Sequence, residues 1–474
     1  MTRSGYLAAG ALALAVTACS ASTEPAPAPP PSSAPPESAP PTPEPSTTDV
    51  APELTQPMVI VMHATRPPLD LSARVARRVL GGTVRTWADL DAGTGRVRVV
   101  ERAAPRAEIR AVVRDANAIA AVPAHVVGPQ VRAVTVDGMD PLRRPDRYPL
   151  RAPASEEHGP VVTLSVVGDI MLSRGVAAAA AASGDPVLAL RPMQRRLASA
   201  DITVGNLEST LSRAGAPTQG NDSFAADPAV VPGLREAGFD VLDLANNHLG
   251  DYGDRALVTT VRRLRAGDLR TFGAGRGLRQ AWQPAVVERA GTRFGFLGFN
   301  AIGETPEVAP GQPGAVSVSM PPRTGPLDRA ELDRFLRAVK RLDRRVDAVV
   351  VFPHWGTQYT NVPEPIQWQV ARRLVAAGAD LVVGGHPHWV QGSEMVRGRL
   401  VVHSLGNFVF DMDFMEQTMK GLLLELTYWG ADLKAARFVP YEMDDRFAPR
   451  VESRAEGLDT LRLMWETSGP AFRP

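Results

Sequence analysis

The sequence predicts an α/β protein in which helices cover β-sheets, with a smaller α/β lobe ahead of the main domain. From about residue 161 onwards, short apolar runs typical of buried strands alternate with longer amphipathic stretches. The chain has 474 residues, which indicates more than one folded unit, and 44% of them are hydrophobic. Polar clusters that contain potential metal ligands follow most of the apolar runs, so we expect a ligand site at the strand ends.

Composition and charge argue against a nucleic-acid partner. The formal net charge is +1, and aromatic residues make up 6% of the chain. Proteins that bind nucleic acid usually carry a basic surface or rings on which bases stack. We therefore expect no nucleic-acid binding.

The first residues have the organisation of an export signal. Arg3 precedes an apolar stretch over residues 6–18, which is too short for a transmembrane helix and typical of a signal-peptide core. The stretch ends at the single cysteine of the chain, and Val16-Thr17-Ala18-Cys19 resembles the bacterial lipobox. This resemblance implies a signal peptide over 1–18, lipidation of Cys19, and a lipid-anchored protein at the cell membrane, facing outside the cytoplasm. The alternative is a plain secretory signal with a cysteine there by chance.

The next segment, residues 19–57, is predicted to be a disordered tether. It is dominated by Pro, Ala, Ser, Thr and Glu. Such a composition cannot bury enough apolar surface to offset the entropy of ordering. The prolines should keep the tether extended between the anchor and the globular part.

A small α/β lobe is predicted over residues 58–155, with strands at 59–62 and 97–100 and a helix at 71–80. Parts of this lobe resemble one lobe of the periplasmic phosphate-binding proteins, although the Ser/Thr-Gly phosphate loops of that family are not found. The lobe either binds an anion or has a structural role.

The main domain is predicted over residues 160–445, with a C-terminal tail at 446–474. Its strands and helices alternate along the chain, as in α/β folds. The expected strands are 161–167, 202–204, 241–244, 294–297, 348–352, 381–383, 400–402 and 422–426, and the expected helices are 188–198, 228–237, 255–266, 327–342 and 366–377.

Three of the polar clusters give weak signals when each is taken alone. Asp169 and Glu208 follow predicted strands and could ligate a cation through carboxylate oxygens, and Glu208 could bridge two ions. A turn residue or a solvent-facing acid would explain either one equally well. His354 also follows a strand, and it gains weight only from its partners.

Two further clusters are more specific. Asn247 can offer a carbonyl oxygen to a metal, and His248 could act as a proton donor or stabilise an oxyanion, with Asp251 orienting its ring. His386 and His388 lie next to a glycine, and imidazole is the commonest ligand of first-row metals. We expect one or two divalent ions of the Mn, Fe or Zn class. The residues expected to support these ligands are Asn206, Asn246, His403 and Asn407.

In this order the clusters resemble the CapA family of capsule-synthesis proteins, also called the poly-γ-glutamate biosynthesis proteins. The resemblance covers residues 161–411. The matching motifs are Gly168-Asp169-Ile170-Met171, Asn206-Leu207-Glu208, Leu244-Ala245-Asn246-Asn247-His248, Asp251-Tyr252-Gly253, Gly273-Ala274-Gly275, His354-Trp355-Gly356, Gly385-His386-Pro387-His388 and Ser404-Leu405-Gly406-Asn407-Phe408. That family is similar to the calcineurin-like metallophosphoesterases, which implies a sandwich of sheets flanked by helices.

The same resemblance implies which residues hold the metals. The implied ligands of one metal are Asp169, Glu208 and His388, those of the other are Glu208, Asn247, His354 and His386, and His248 assists catalysis. The chain departs from the metallophosphoesterase pattern at two positions. Met171 stands where those enzymes have a histidine, and Glu208 stands where they have a bridging aspartate. The first metal therefore has the weaker ligand set.

Two functions are compatible with these residues. One is a metal-dependent hydrolase or transferase that acts on a phosphoester or amide bond during biosynthesis or attachment of a capsule or poly-γ-glutamate-type polymer. The other is a non-catalytic, metal-containing protein that binds or tethers an anionic extracellular polymer through the same cleft.

Overall fold

The computed structural model describes residues 28, 54–101 and 104–474. The predicted signal peptide, Cys19 and nearly all of the predicted tether lie outside these residues. Residues Glu53–Pro474 form one compact unit. In the described part of the chain, no helix is both long and apolar enough to cross a membrane.

The N-terminal lobe is a small sheet with one helix packed against each face. Its elements are β1 (Thr55–His63), β2 (Asp70–Leu71), α1 (Ala73–Leu80), β3 (Arg98–Val100), α2 (Pro105–Val113), β4 (Ala118–Pro123), β5 (Val131–Ala133), β6 (Thr135–Val136) and β7 (Arg151–Pro153). The strand order is β3-β4-β1-β5, and β7 also pairs with β1. Because β1 begins at Thr55, the last residues of the predicted tether belong to this sheet.

The alternation of side chains along β1 explains the two faces of the lobe. Val59 and Val61 pack in the cluster that contains α2, whereas Ile60 and Met62 pack in the cluster that contains α1. Successive side chains of a strand point to opposite faces, so this apolar run covers both sides of its sheet. The lobe contacts the main domain through Trp429, whose indole N–H donates to the Leu142 carbonyl at 2.7 Å.

The main domain alternates strands and helices, as predicted. Its first elements are β8 (Val161–Ile170), α3 (Arg174–Ser183), α4 (Arg191–Leu197), β9 (Ile202–Leu207), α5 (Val230–Glu236), β10 (Val241–Asp243), α6 (Gly253–Ala266), β11 (Arg270–Phe272), β12 (Ala274–Gly275), α7 (Leu278–Ala281), β13 (Ala285–Arg289), β14 (Thr292–Asn300) and β15 (Gly314–Ala315). The remaining elements are α8 (Arg329–Asp343), β16 (Ala348–His354), α9 (Pro365–Ala376), β17 (Leu381–Val383), β18 (Ser393–Val396), β19 (Arg399–Val402), β20 (Asn407–Val409), β21 (Lys420–Trp429), β22 (Asp432–Met443), β23 (Pro449–Val451) and α10 (Gly457–Glu466).

These elements form two sheets packed face to face. The first has the order β11-β10-β9-β8-β21-β22-β23, with β20 also paired to β8, and the second has the order β13-β14-β16-β17-β19-β18. One apolar cluster fills the space between them, with Leu164 and Val204 from the first sheet and Phe296 and Val350 from the second. Helices α3 to α6 cover the outer face of the first sheet, and α8 and α9 cover the second. The predicted sandwich of sheets flanked by helices is confirmed.

The last residues of the chain pack into this domain. β23 pairs with β22 at the edge of the first sheet. Met464 from α10 and Phe472 near the C-terminus both belong to the apolar cluster between the sheets. The segment predicted as a tail therefore contributes to the core.

We expect the Phe296→Ala variant to lose about 3–5 kcal/mol of unfolding free energy, because a fully buried aromatic ring between the two sheets is replaced by a cavity. Urea unfolding of the two proteins measures the difference. Val362→Ala is the control, since Val362 is 57% exposed and its truncation should change stability by less than about 0.5 kcal/mol. Equal stabilities of the wild type and the Phe296 variant would contradict this packing.

Candidate functional site

Polar side chains lie side by side where the parallel strands of the first sheet end. β9 runs parallel to both β8 and β10, and the register pairs Asn206 with Asp169 on one side and with Asp243 on the other. Hydrogen bonds hold this row: the Asn206 amide donates to Asp169 Oδ1 at 2.8 Å and to Glu208 Oε1 at 2.9 Å. Strand pairing alone therefore brings Asp169 and Glu208, which are distant in sequence, to one edge of the sheet.

The second sheet brings its histidines to the same edge. His354 is the last residue of β16 and is bridged to Gly385 after β17. A Cβ atom on Gly385 would lie 2.6 Å from Asp169 Oδ1, so only glycine allows this close approach between the sheets. The backbone N–H of His386 donates to Asp169 Oδ2 at 3.0 Å.

The Gly385-His386-Pro387-His388 segment has strained backbone. His386 has φ = 94° and His388 has φ = 58°, in the left-handed region that non-glycine residues rarely adopt. Such strain persists where surrounding contacts enforce it, and it is typical of functional sites. The turn places one imidazole beside an acid and the other beside a histidine: His388 Nδ1 lies 3.7 Å from Asp169 Oδ2, and the His386 ring centre lies 5.0 Å from that of His354.

Three of the predicted ligands form a group of metal-binding size. Asp169, Glu208 and His354 each offer one atom, and these atoms lie within 4.8 Å of one another. Asn247, another predicted ligand, lies next to this group, because its Oδ1 is 2.8 Å from His354 Nε2. All of these side chains are buried.

Four polar atoms of the predicted ligands have no hydrogen-bond partner in the described part of the chain. They are Glu208 Oε2, His386 Nδ1, His386 Nε2 and His388 Nε2, and all are buried. An unpaired buried polar atom is costly, and native proteins rarely leave several together. Carboxylate and imidazole atoms without protein partners are ligands that suit a divalent cation, so the residue types agree with the metal that the resemblance implies.

The environment favours the metal-binding form of two predicted ligands, His354 and His386, whereas it disfavours the ionised form of Glu208. Burial lowers the pKa values of His354 and His386 well below the usual range, and neighbouring histidines lower them further, so both rings are neutral. Burial, together with the charge of Asp169, raises the pKa of Glu208 well above its usual range. Neutral imidazoles are the form that ligates metals, and a bound cation would offset the repulsion between the two carboxylates.

The predicted catalytic pair is present next to the metal group. His248 Nδ1 lies 3.0 Å from Asp251 Oδ2. Asp251 is held in turn by the Phe224 backbone N–H and by Gln219 Nε2, each at 2.6 Å. The Phe224 ring stacks on the imidazole with 4.0 Å between ring centres. The bond to Asp251 fixes the ring and leaves His248 Nε2 as the atom available for proton transfer.

Two of the four predicted supporting residues, Asn206 and Asn407, contact the ligands, and a third, Asn246, contacts Asn206. Asn206 donates to both acids, Asn246 Nδ2 donates to Asn206 Oδ1 at 2.9 Å, and Asn407 Oδ1 lies 2.8 Å from His388 Nδ1. The fourth, His403, does not lie where it was predicted. Its ring packs against two tryptophans, with centres 4.3 Å from Trp368 and 5.8 Å from Trp355, and it lies outside the metal group.

Met171, which stands where a histidine would complete the first metal site, contributes to the apolar core instead. It is fully buried in the cluster beneath α3. Its Sδ accepts hydrogen bonds from the backbone N–H and the hydroxyl of Ser173, at 3.1 and 2.9 Å. Met171 therefore adds no ligand to the first metal site that the resemblance implies.

Sequence reasoning missed Asp243, which closes the polar row. It is fully buried, lines a small cavity with Asp169 and His354, and has Oδ1 2.9 Å from the Ala245 backbone N–H. Cβ atoms on Gly273 or Gly298 would lie within 2.8 Å of its carboxylate, so both glycines are needed for its close packing. An acidic residue at the end of an otherwise apolar strand was the available signal.

The carboxyl group of Asp243 should make stability depend on pH. Burial raises its pKa from 3.8 to about 8, so the folded chain holds this proton while the unfolded chain releases it. The contribution of this group to the free energy of unfolding is complete below the pKa of Asp243 in the unfolded chain. It is lost as the pH rises towards the pKa of Asp243 in the folded chain, and the free energy of unfolding then falls by at most ~1.4 kcal/mol per pH unit. Asp243→Asn should flatten the urea-unfolding profile over this window in the presence of a chelator. An unchanged profile would show that Asp243 does not titrate there.

Known proteins share the part of the chain that carries this site. A family model described as "Bacterial capsule synthesis protein PGA_cap" matches residues 163–412. The capsule biosynthesis protein CapA of Bacillus anthracis is 33% identical over 265 residues, which cover 55% of this chain and 62% of that protein. The PGA biosynthesis protein CapA of Bacillus subtilis is 30% identical over 264 residues, which cover 53% of this chain and 64% of that protein.

Among solved structures, a phosphatase from Mycoplasma pneumoniae is 11% identical and covers 65% of this chain and 100% of its own, with a TM-score of 0.37. The matches to the two CapA proteins cover less than two thirds of the length of those proteins. The family match itself extends over more than half of the 474 residues, and it includes every predicted ligand. The chain therefore belongs to the bacterial capsule synthesis protein family PGA_cap.

Proposed function

We propose that this protein is an exported, lipid-anchored member of the family in which the buried site binds a divalent metal and hydrolyses or transfers a group of an envelope polymer. The observation that carries the proposal is the buried group of Asp169, Glu208 and His354, next to which His386 and His388 keep ring nitrogens without protein partners. The names of the relatives, which refer to capsule and PGA biosynthesis, support an anionic polymer such as poly-γ-glutamate as the substrate.

The residues that would hold the metal are those of the buried group, namely Asp169, Glu208, Asn247, His354, His386 and His388. A divalent metal bound there supplies Lewis acidity and lowers the pKa of bound water to roughly 7. The remaining chemistry belongs to the chain. His248 Nε2 gives its proton to the leaving oxygen or nitrogen as the scissile phosphoester or amide bond breaks, and Asp251 holds the imidazole in position.

A second candidate function is a non-catalytic one, and the position of Met171 favours it. Because Met171 is buried in the apolar cluster, the first metal has a reduced ligand set. A site that binds metal but lacks full catalytic geometry could still hold an anionic polymer. The protein would then tether the polymer at the cell surface without cleaving it.

The two functions differ in one experiment on the purified protein. Metal content is measured by mass spectrometry, and turnover is then measured on an aryl phosphate and on poly-γ-glutamate. Bound metal with cleavage or transfer of either compound supports the enzyme. Metal without turnover favours the tether, and the absence of metal after loading with Mn²⁺, Fe²⁺ or Zn²⁺ contradicts both.

The proposed anchor is tested by changing Cys19. The Cys19→Ala variant should move from the membrane fraction to the soluble or secreted fraction, because the lipid is the only attachment proposed. Fractionation followed by immunoblotting measures the distribution. If both proteins remain in the membrane fraction, Cys19 does not anchor the chain.

A further inference from the structure

Arg174, at the start of α3, makes two ion pairs of different character. Its Nε lies 3.1 and 3.2 Å from the carboxylate oxygens of Asp411, which is 10% exposed and also accepts the Gly175 backbone N–H at 2.8 Å. Its Nη1 lies 3.2 Å from Asp222 Oδ1, and the Asp222 side chain is 75% exposed. The pair with Asp411 is built into the fold, whereas the pair with Asp222 is open to water and weakly held.

Arg174 and the candidate proton donor, His248, lie against the same aromatic ring. The Arg174 guanidinium carbon is 4.5 Å from the centre of the Phe224 ring, and His248 stacks on the same ring. The guanidinium and the imidazole therefore contact the same ring. A charged group that bound Arg174 would therefore be held close to the site of proton transfer.

Arg174 also lies near the predicted metal ligand His388. The centre of the Phe410 ring is 5.6 Å from that of Phe224 and 4.9 Å from that of His388. Two aromatic side chains, Phe224 and Phe410, thus separate the Arg174 guanidinium from this ligand.

We propose that Arg174 is a binding subsite for a carboxylate of the substrate and that Asp222 occupies this subsite until substrate displaces it. The resident group is itself a carboxylate, and guanidinium groups recognise carboxylates with two parallel hydrogen bonds. A polymer that bears a carboxylate on each unit could place its reacting group at the buried ligands and a neighbouring carboxylate on Arg174. The inference rests on the proposed function, since it concerns the same cleft.

The test is calorimetric titration of the full, Mn²⁺-loaded protein with a decapeptide of γ-linked glutamate. Asp222→Asn removes the competing carboxylate, so it should tighten binding by about 2- to 5-fold, as expected for loss of one exposed competing charge. Asp432→Asn is the matched control, because Asp432 is 73% exposed, pairs with Lys434, and lies beyond the opposite end of β8. The control should bind like the wild type.

Changes at Arg174 should act in the opposite direction. Arg174→Gln should weaken binding by about tenfold, and Arg174→Lys should recover part of that loss, because lysine keeps the charge but not the planar fork. The double variant Asp222→Asn/Arg174→Gln should bind as weakly as Arg174→Gln alone. Destabilisation of the fold by the Arg174 change would not produce tighter binding in the Asp222 variant.

Unchanged or weaker binding by Asp222→Asn overturns the subsite, and so does a lack of peptide binding by both the wild type and this variant. These outcomes are separate from those of the proposed function, which are read from metal content and turnover. A protein that cleaves an aryl phosphate but shows no effect of Asp222 would keep the metal-dependent activity and lose the carboxylate subsite.

Discussion

Replacing His386 with alanine is expected to weaken metal binding by at least ~100-fold, so that the purified variant carries almost no metal. Both ring nitrogens of His386 are buried and lack hydrogen-bond partners among the described residues, and a cation is a partner that fits the unprotonated one. The backbone φ of 94° holds the ring in place. Metal content measured by mass spectrometry after loading and dialysis reports the difference directly.

His403→Ala is the matched control for this experiment. Like His386, His403 is fully buried, and both of its ring nitrogens lack partners in the described part of the chain. Burial lowers its pKa to about 3, so its ring is neutral. It lies against Trp355 and Trp368, however, and the acid close to it is Glu394, with Oε1 3.9 Å from Nε2, rather than Asp169 or Glu208. Equal metal loss in the two variants would point to general unfolding and would contradict a specific role for His386.

The positions of the ligands were predictable because each follows an apolar strand. The runs that became β8 and β16 are recognisable in the sequence, and the parallel arrangement of strands brings their carboxyl ends to one edge. His403 shows the limit of this reasoning, since it also follows a strand. Adjacent residues of a strand point to opposite faces, so a shift of one position is enough to direct a side chain away from the site.

Contacts between distant segments could not be predicted from the sequence. Gln219 and Phe224 lie in a connection without regular apolar spacing, yet they hold Asp251 and cover His248. β22, β23 and α10 were missed because their partly exposed strands and short helix carry weak periodicity. Local pattern indicates where an element forms, but the partner of a loop side chain is determined by the tertiary fold.

The largest effect on turnover is expected from His248→Ala, which should lower kcat by about 10²- to 10⁴-fold while metal content stays at the wild-type level. The variant removes the proposed proton donor but none of the ligand atoms that form the buried metal group. Turnover of an aryl phosphate at saturating metal, measured beside metal content, separates the two effects. His125→Ala, in the N-terminal lobe, serves as the control with unchanged kcat because its exposed ring contacts Gln56.

The leaving group gives a sharper form of the same test. A phenol with a low pKa leaves without a proton, so the loss caused by His248→Ala should shrink as the leaving phenol becomes more acidic. Asp251→Asn should show the same trend with a smaller loss, because the imidazole remains but its Nδ1 hydrogen bond is altered. A loss of equal size for all leaving groups would assign His248 to substrate binding, and full activity of His248→Ala would remove it from the mechanism.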